Sequence, residues 1–582
     1  MARALPLVAA GMLAVASAAA LAQPDAGSLL RQEEEAERSQ PRDFERLPAE
    51  ESLPPLTDTG DVTVEVESVE FTGDTQLVSE DVLNKAVEPA IGQSLDFEGL
   101  KALAARVTRV MKDEGWFLGR AYLPRQDVTD GVIRIQLEAG RLDSSGPVFE
   151  IRNVGEEPLR ISEGRLRAMA ARELEPGAPL RTRPLDRTVL LINDLPGISA
   201  RASLTPGESP GSTTVQLNAS QAPLLRGEVS ATNFGNRSTG RGQTNFGLTM
   251  LDPTGNGDRL RTSFIHAEGL DLARGIYEFP LGYEGTRVRL QARYLSYEVV
   301  EGTEQVLAAD LNGRTRAASV EVDHPLVRQR RSNLTLMADY EYSAPEDFSN
   351  GVERANKRIA DYGVGLRGSA LDRLFGGGRT TGSVRLGAGR TDLSRNADSL
   401  NTDQGSSGLD THGRYATLRY RLSRLQQVHG PVSAYLGWDG QRTDRNLDSS
   451  QKFYPAGPNG VRAYPGGEAS ADEGDRLRVE LRLDQTAPLG LGNLQYSAFY
   501  DKAWVRLNDD PGDLQITNAT GRNRYDLSGF GAALTLSQQG RFHIGLTAAR
   551  VIGNNPGRTS DGLNSDGRAD EERVWLQGIW WL

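Results

Sequence analysis

Cysteine does not occur in this 582-residue chain, which fits an exported protein that forms no disulfides. Histidine occurs only five times, without the spacing of metal ligands, and no P-loop string is present. A formal charge of -12 argues against nucleic acid as a partner, because phosphate binding calls for a basic surface. We therefore expect no metal, no cofactor, no enzyme activity and no nucleic-acid partner.

Long apolar runs are also missing, apart from one near the start. Residues 5–21 are mostly apolar, Arg3 precedes them, and Ala20-Leu21-Ala22 forms an A-x-A cleavage site. This pattern predicts a signal peptide over residues 1–22. No other stretch approaches the roughly 18 consecutive apolar residues that a membrane-spanning helix needs. We therefore expect an exported chain that is not anchored by helices.

The chain instead shows alternation of apolar and polar residues, repeated from residue 224 to 582. Successive side chains of a strand point to opposite faces, so each such stretch predicts a strand with one apolar face. A soluble sandwich would bury that face, but strongly charged strands over about 360 residues favour a membrane barrel that is apolar outside and polar inside. The arginines expected in the lumen, with salt bridges to Glu480 and Asp484, are Arg287, Arg289, Arg476 and Arg478.

Short turns rich in glycine and proline divide this region into strands. Seven are recognisable, at residues 252–257, 280–285, 325–331, 375–378, 426–431, 488–493 and 537–540. Because outer-membrane barrels have short turns at one end and longer loops at the other, seven turns predict sixteen strands and eight loops. The expected fold is therefore mostly β, with a 16-stranded antiparallel transmembrane β-barrel over residues 222–582.

Two smaller α/β units precede the barrel, at residues 61–143 and 144–221. In each, the pattern predicts a strand, two helices and two closing strands; Asp96, for example, can cap a helix that carries Leu100 and Leu103 on one face. Before them, residues 23–60 contain a predicted helix over 28–40 and a linker rich in proline and acidic residues.

One string resembles an enzyme motif. Residues 207–211 match G-x-S-x-G around Ser209. They lie in a predicted hairpin turn, with proline after the serine and no strand-to-helix elbow, so we interpret them as turn residues.

The longest outer loop is the sixth, at about residues 441–475, and it contains Arg462. The alternation of the next strand but one after this loop places Tyr496 and Ala498 towards lipid and Asp501 towards the lumen. A loop folded into the lumen could therefore bring Arg462 to Asp501. A partly desolvated arginine–carboxylate pair would hold such a loop far better than an exposed pair.

At these residues the chain resembles the TpsB family, the outer-membrane transporters of two-partner secretion, which include haemolysin secretion/activation proteins. The tetrad Val461-Arg462-Ala463-Tyr464 stands where the family carries a Val-Arg-Gly-Tyr-type motif, and Phe499 and Asp501 stand in its Phe-x-Asp-x-Gly barrel motif. The segment with Leu29, Leu30 and Arg31 resembles the start of the family's plug helix, and the two α/β units resemble its paired POTRA domains. Ala463 and Ala503 replace glycines of these motifs, and both replacements remove some backbone freedom.

The resemblance implies a pore in the bacterial outer membrane that recognises a dedicated TpsA-type exoprotein and translocates it from the periplasm to the cell surface. The POTRA domains would bind the unfolded exoprotein by adding it as a strand, and the helix over residues 28–40 would plug the pore. Outer-membrane lipid and the barrel-assembly machinery would be the further partners. The alternatives are an insertase of the same superfamily, which usually has more POTRA domains, a solute porin with accessory domains, and a surface esterase using Ser209.

Overall fold

The computed structural model describes residues 24–38, 63–128, 130–209, 211–513 and 516–582. The predicted signal peptide, residues 1–22, and the predicted linker, residues 41–60, lie outside them. Among the described residues, none of the helices has the length and apolar content needed to cross a membrane.

The first described element is helix α1, Ala26–Arg38, close to the helix predicted over residues 28–40. Asp25 caps it, because its Oδ1 accepts hydrogen bonds from the backbone N–H groups of Gly27 and Ser28, both at 3.0 Å. An aspartate in this position satisfies amides that the first turn of a helix leaves without partners.

The first α/β unit packs two helices on a small sheet. Its elements are β1 Thr63–Glu65, β2 Ser68–Gly73, α2 Glu80–Val87, β3 Ser94–Asp96, α3 Phe97–Asp113, β4 Arg120–Tyr122 and β5 Val132–Glu138. Strand β5 lies between β2 and β4, and β1 pairs with β3. The carboxylate of Asp96 accepts from the N–H of Gly99 at 2.6 Å, the predicted cap of α3. The strand pattern missed β3, a three-residue strand too short to show periodicity.

The second α/β unit follows directly. Its elements are β6 Arg141–Leu142, β7 Phe149–Asn153, α4 Glu163–Ala170, α5 Thr182–Asn193, β8 Ile198–Pro206 and β9 Ser212–Gln221. Strand β9 is central, parallel to β6 and β7 and antiparallel to β8. The core is apolar, with Leu166, Ile192 and Leu217 fully buried.

The rest of the chain closes into one antiparallel barrel. Its elements are β10 Leu225–Thr232, β11 Gln243–Leu251, β12 Arg259–Ala267, β13 Leu270–Leu281, β14 Thr286–Glu298, α6 Glu304–Ala308, β15 Leu311–Arg328, β16 Ser332–Ser349, β17 Val352–Asn356, β18 Arg358–Asp372, β19 Gly378–Asp392, α7 Ala397–Asp403, β20 Gly413–His429, β21 Val432–Thr443, β22 Glu473–Thr486, β23 Asn493–Arg506, β24 Arg524–Gln538, β25 Phe542–Val551 and β26 Glu572–Trp581. Because β17 and β18 both pair with β16 and form one strand interrupted at Lys357, the predicted sixteen-stranded barrel is confirmed.

Seven short turns join the strands at one end of the barrel. They are turn 1 (252–258), turn 2 (282–285), turn 3 (329–331), turn 4 (373–377), turn 5 (430–431), turn 6 (487–492) and turn 7 (539–541). Not every connection at the other end is long, as the sequence had suggested. The fourth loop is only Asn350-Gly351, and both residues have positive φ, because an Asn-Gly pair closes a two-residue hairpin.

The second α/β unit is docked against turns 1 to 3. Asp194 accepts two hydrogen bonds from the Arg328 guanidinium, at 2.7 and 2.8 Å, and the Ser162 N–H donates to the carbonyl of Gly255 in turn 1 at 3.0 Å. Arg165 donates to the carbonyl of Gly282 in turn 2 at 2.7 Å. This unit therefore lies under one half of the turn end of the barrel, and turns 4 to 7 lie on the other half.

Candidate functional site

The sixth loop, residues 444–472 (loop 6), folds inwards against the barrel wall. Phe453 and Ala471 form a backbone bridge across it, and Ala456 and Val461 form a second bridge near its tip. Val461 and Tyr464 are fully buried, with 0% of their surface exposed. Because the loop tip is buried, its side chains can contact the barrel wall. The side chains of an outer loop in solvent could not do so.

Arg462 joins loop 6 to two neighbouring strands. Its Nε and Nη2 atoms lie 2.8 and 2.7 Å from the two carboxylate oxygens of Asp501 on β23, and its Nη1 lies 2.8 Å from Glu480 on β22. Asp501 is fully buried. A two-point arginine–carboxylate fork fixes orientation as well as distance. The structure thus brings together Arg462 and Asp501, as the strand alternation predicted, and adds a second carboxylate.

Two further contacts hold the same arginine. The guanidinium carbon lies 3.4 Å from the ring centroid of Phe499, a cation–π contact. The indole N–H of Trp575, on the last strand β26, donates to the backbone carbonyl of Arg462 at 2.8 Å. We call Arg462, Glu480, Phe499 and Asp501 the Arg462 cluster. Since its members lie on β22, β23 and loop 6, and Trp575 lies on β26, the loop tip contacts separate parts of the barrel wall.

Ala463 fits into a slot that a glycine makes in the wall. Gly529 on β24 faces Asp501 across the strand pair, and a methyl group added at Gly529 would lie only 2.5 Å from the Cβ of Ala463. Neither Ala463 nor Ala503 has a positive φ, so alanine is compatible with the backbone at both positions. With alanine in place of glycine at both positions, loop 6 therefore still contacts the wall.

Loop 6 is also held by the eighth loop, residues 552–571. Glu468 is almost fully buried; one of its oxygens accepts from Asn555 Nδ2 at 2.7 Å and the other from the Ser565 N–H at 2.6 Å. Burial raises the pKa of the Glu468 carboxyl, and the hydrogen bonds from Asn555 and Ser565 partly offset this rise.

Helix α1 lies inside the barrel with its apolar face on the wall. Leu29 and Leu30 are 3% exposed and pack with Leu270, Leu295 and Tyr297. Its first amide, that of Ala26, donates to Asp347 on β16 at 3.0 Å. Further along the helix, the side-chain amide of Gln243 donates to Glu33 at 2.7 Å, and Glu34 forms an ion pair with Arg293 on β14. Arg31, which was predicted with Leu29 and Leu30 as a residue of the plug helix, pairs with Glu34 and Glu35 of the same helix, at 3.4 and 3.6 Å.

The helix and loop 6 also touch each other. The Ser449 hydroxyl donates to Asp25 at 2.9 Å, and a methyl group at Gly27 would lie 2.8 Å from the Cβ of Ser450. A cavity of about 150 Å³ remains between the helix, loop 6 and the wall, lined by Gln32, Arg274 and Asn459 among others. The two lumen elements therefore contact each other as well as the barrel.

The predicted pairing of lumen arginines with Glu480 and Asp484 is wrong in its partners. Arg476 pairs with Asp439 on the adjacent strand at 2.8 Å, whereas Glu480 pairs with Arg462 and Arg482. Of the other three, Arg289 pairs with Glu278 and Glu321, and Arg287 pairs with Glu278 and with Asp194 of the second α/β unit. Arg478 donates to the carbonyl of Asn459 in loop 6 at 3.4 Å. Arg289 and Arg476 pair with carboxylates directly opposite them on adjacent strands, and the sequence gives no sign of which residues are opposite each other.

Comparison with known proteins agrees with this arrangement. A model of the haemolysin secretion/activation proteins ShlB/FhaC/HecB matches residues 211–531, and a model of the ShlB-type POTRA domain matches residues 64–140. The heme/hemopexin transporter protein HuxB of Haemophilus influenzae is 24% identical over 587 residues, covering 98% of this chain and 97% of HuxB. The outer membrane transporter CdiB of Escherichia coli is 24% identical over 522 residues, covering 86% of this chain and 84% of CdiB. A solved structure of CdiB from E. coli superposes with a TM-score of 0.67 at 20% identity, covering 95% of this chain and 96% of that one.

Proposed function

The chain belongs to the haemolysin secretion/activation protein family ShlB/FhaC/HecB, and from that membership we propose how its parts act in export. It is an outer-membrane transporter of two-partner secretion, with its N-terminal POTRA domains in the periplasm, and it translocates a partner exoprotein. We propose that POTRA 1 (61–143) and POTRA 2 (144–221) bind the exoprotein unfolded. It then passes through the lumen of the barrel (222–582), which α1 and loop 6 close at rest.

The observation that carries the proposal is the joint placement of α1 and loop 6 in the lumen. Both elements combine apolar contacts with an ion pair to the wall, Glu34 to Arg293 and Arg462 to Asp501. Breaking a buried ion pair is strongly destabilising when it leaves one charge buried without a partner. A lumen rich in charged groups offers other partners, so both elements can leave their places without isolating a charge.

Co-expression with a TpsA-type exoprotein tests the function as a whole. We expect the exoprotein in the medium when the full chain is present, and in the periplasm when it is absent. A solute porin would leave the exoprotein in the periplasm in both cases. The mobility of the folded barrel on an unheated gel shows whether it has assembled. This measurement separates failed export from failed assembly.

POTRA 1 supplies the first contact with the exoprotein in this proposal. Strands β2 and β4 are the two edges of its sheet, and a sheet edge can pair with an extended chain through main-chain hydrogen bonds. Deleting residues 62–139, which spares strand β6 of POTRA 2, is expected to abolish capture of the exoprotein's N-terminal secretion domain in a pull-down. Lys101→Ala, an exposed change on α3, is the control and should bind normally. Retained affinity after the deletion would assign recognition elsewhere.

Helix α1 is proposed to be a removable plug. A helix of 13 residues is about 20 Å long and about 10 Å wide, large enough to obstruct a barrel of this size. Deleting residues 26–38 is expected to raise single-channel conductance in planar bilayers. Gly27→Val should have the same effect in weaker form, since its side chain would strike Ser450.

The control for the plug experiment is Gly164→Ala, because its methyl group would meet nothing closer than 3.5 Å. It should leave conductance unchanged. If the deletion leaves conductance at the value of the full chain, α1 does not limit the pore.

We further propose that export involves no covalent chemistry. The Ser209 hydroxyl lies in the turn between β8 and β9, where it donates to Asp143 at 3.1 Å and contacts the Ser145 hydroxyl at 2.6 Å. These contacts support a turn-stabilising role. Barrel assembly is proposed to use the barrel-assembly machinery, with β26 as the strand that this machinery reads, and the finished barrel to lie in outer-membrane lipid.

A further inference from the structure

Two periplasmic turns present unusually exposed apolar side chains. Leu489 in turn 6 is 95% exposed and Phe375 in turn 4 is 88% exposed, the highest values among the large apolar residues that the structure describes. Leu374, beside Phe375, is 62% exposed. Apolar strand residues on the lipid side, such as Leu481, are about half exposed because neighbouring strands flank them. Exposed apolar residues that lie together, as Leu374 and Phe375 do in turn 4 and Leu489 and Leu491 in turn 6, are typical of surfaces that contact a membrane or another protein.

Turn 4 is held firmly in this conformation. The side-chain amide of Gln426 donates to the carbonyls of Leu374 and Gly377, both at 2.9 Å, and Arg424 pairs with Asp372 at 2.7 Å. Phe375 and Leu489 both have positive φ, 52° and 59°, a region that apolar residues seldom adopt. A left-handed backbone at a residue other than glycine is strained, so the turns maintain their exposed tips against a local penalty.

The depth of turn 4 follows from the strand that leads into it. The outward face of β18 is apolar from Ala360 to Ala370, and is bounded by Arg358 and Asp372. Ten residues at about 3.3 Å each, tilted by about 40°, span about 25 Å, the height of the lipid-facing band of an outer-membrane barrel. Asp372 therefore lies at the inner edge of the hydrocarbon. Turn 4 begins in the headgroup layer, which is about 5 to 7 Å thick on each side.

The charges of turn 4 fit that layer. Arg373 and Arg379 flank the Leu374-Phe375 tip, and no acidic residue occurs between them. Arginine beside exposed apolar residues is the composition of protein segments that bind anionic phospholipid surfaces. POTRA 2 covers turns 1 to 3, so turns 4 and 6 lie on the half of the rim that POTRA 2 leaves uncovered.

We propose that turns 4 and 6 insert their apolar tips into the headgroup layer of the inner leaflet, and that turn 4 prefers anionic phospholipid. POTRA 2 supports one half of the periplasmic rim and lipid supports the other. The orientation of the barrel mouth in the membrane is then set by both halves together.

The absence of cysteine allows a direct test with single fluorescent labels. Bimane is attached to Phe375→Cys or to Leu489→Cys in the full chain, reconstituted in nanodiscs of phosphatidylcholine brominated near the headgroup. The controls are Gln539→Cys in turn 7, an exposed polar turn of the same rim, and Lys101→Cys on POTRA 1. We expect quenching at 375 and 489 to exceed that at both controls by about twofold or more.

Replacing a third of the lipid by brominated phosphatidylglycerol is expected to increase quenching at 375 more than at 489, because turn 4 carries Arg373 and turn 6 carries no arginine. If the Phe375→Cys variant does not fold, a label at Leu374→Cys reports on the same turn with less backbone strain. Equal quenching at 375 and at 101 would overturn the proposal. So would protection of both labels by the exoprotein but not by lipid, which would make the tips a contact for the exported chain.

Discussion

Replacing Asp501 with alanine is expected to reduce export of the exoprotein by about tenfold or more while the barrel still inserts. The change removes both fork acceptors of Arg462 and leaves a guanidinium that is only 12% exposed with Glu480 as its remaining acidic partner. Removing one partner of a buried pair commonly costs about 3–5 kcal/mol. We expect a smaller loss, about 2 kcal/mol, because Glu480 remains at 2.8 Å.

Asp501→Asn separates charge from shape at this position, and Asp484→Ala is the control. Asp501→Asn keeps an acceptor oxygen without the charge and is expected to export at an intermediate level. Asp484→Ala removes a lumen-facing aspartate of the adjacent strand β22 whose carboxylate accepts from Asn493 and Gln495, both on the wall. It should therefore export normally. Measurement of secreted exoprotein, beside the amount of folded barrel on an unheated gel, compares all three.

The same variants distinguish bracing from gating. If the Arg462 cluster gates the pore, Asp501→Ala should also change the frequency of open events in single-channel recordings. If it only braces loop 6, the barrel should be less stable to urea, with unchanged open frequency. Wild-type export by a folded Asp501→Ala barrel contradicts both roles.

The alternation of β23 was enough to predict the inward side chain of Asp501, because a strand has only two faces and the apolar set identifies one of them. The seven turns were recognisable for a similar reason, since glycine and proline mark reversals locally. Both predictions depend on neighbours within about ten residues along the chain.

Contacts between distant strands could not be predicted in this way. Glu480 and Trp575 meet Arg462 only because the barrel closes with a particular register, and nothing local in β22 or β26 marks those residues. The partner of Arg476 was predicted on its own strand and lies instead on β21. Gly529 gave no signal either, because a glycine in a strand shows its role only when the Ala463 methyl group lies opposite it.

A substitution at Gly529 is also expected to have a large effect on export. Gly529→Ala is expected to displace the tip of loop 6, because the added methyl group would lie 2.5 Å from the Cβ of Ala463. Neither group can move easily, since Ala463 is 1% exposed and Gly529 is in the middle of β24. Overpacking of this kind typically costs about 1–3 kcal/mol. Export should fall together with the urea midpoint of the barrel.

Combining Gly529→Ala with Ala463→Gly is expected to restore most of the export and most of the urea midpoint, because the second change removes the methyl group that the first one strikes. Rescue should be incomplete, since the new methyl group also lies 3.1 Å from the carbonyl of Arg550. The double-mutant cycle should give a favourable coupling of about 1 kcal/mol or more, as expected for residues in direct contact. Gly545→Ala is the matched control on the neighbouring strand β25, where the nearest atom would be 3.9 Å away. If the effects of the two single changes simply add, Ala463 does not pack in the Gly529 slot, and the position of loop 6 assigned here is wrong.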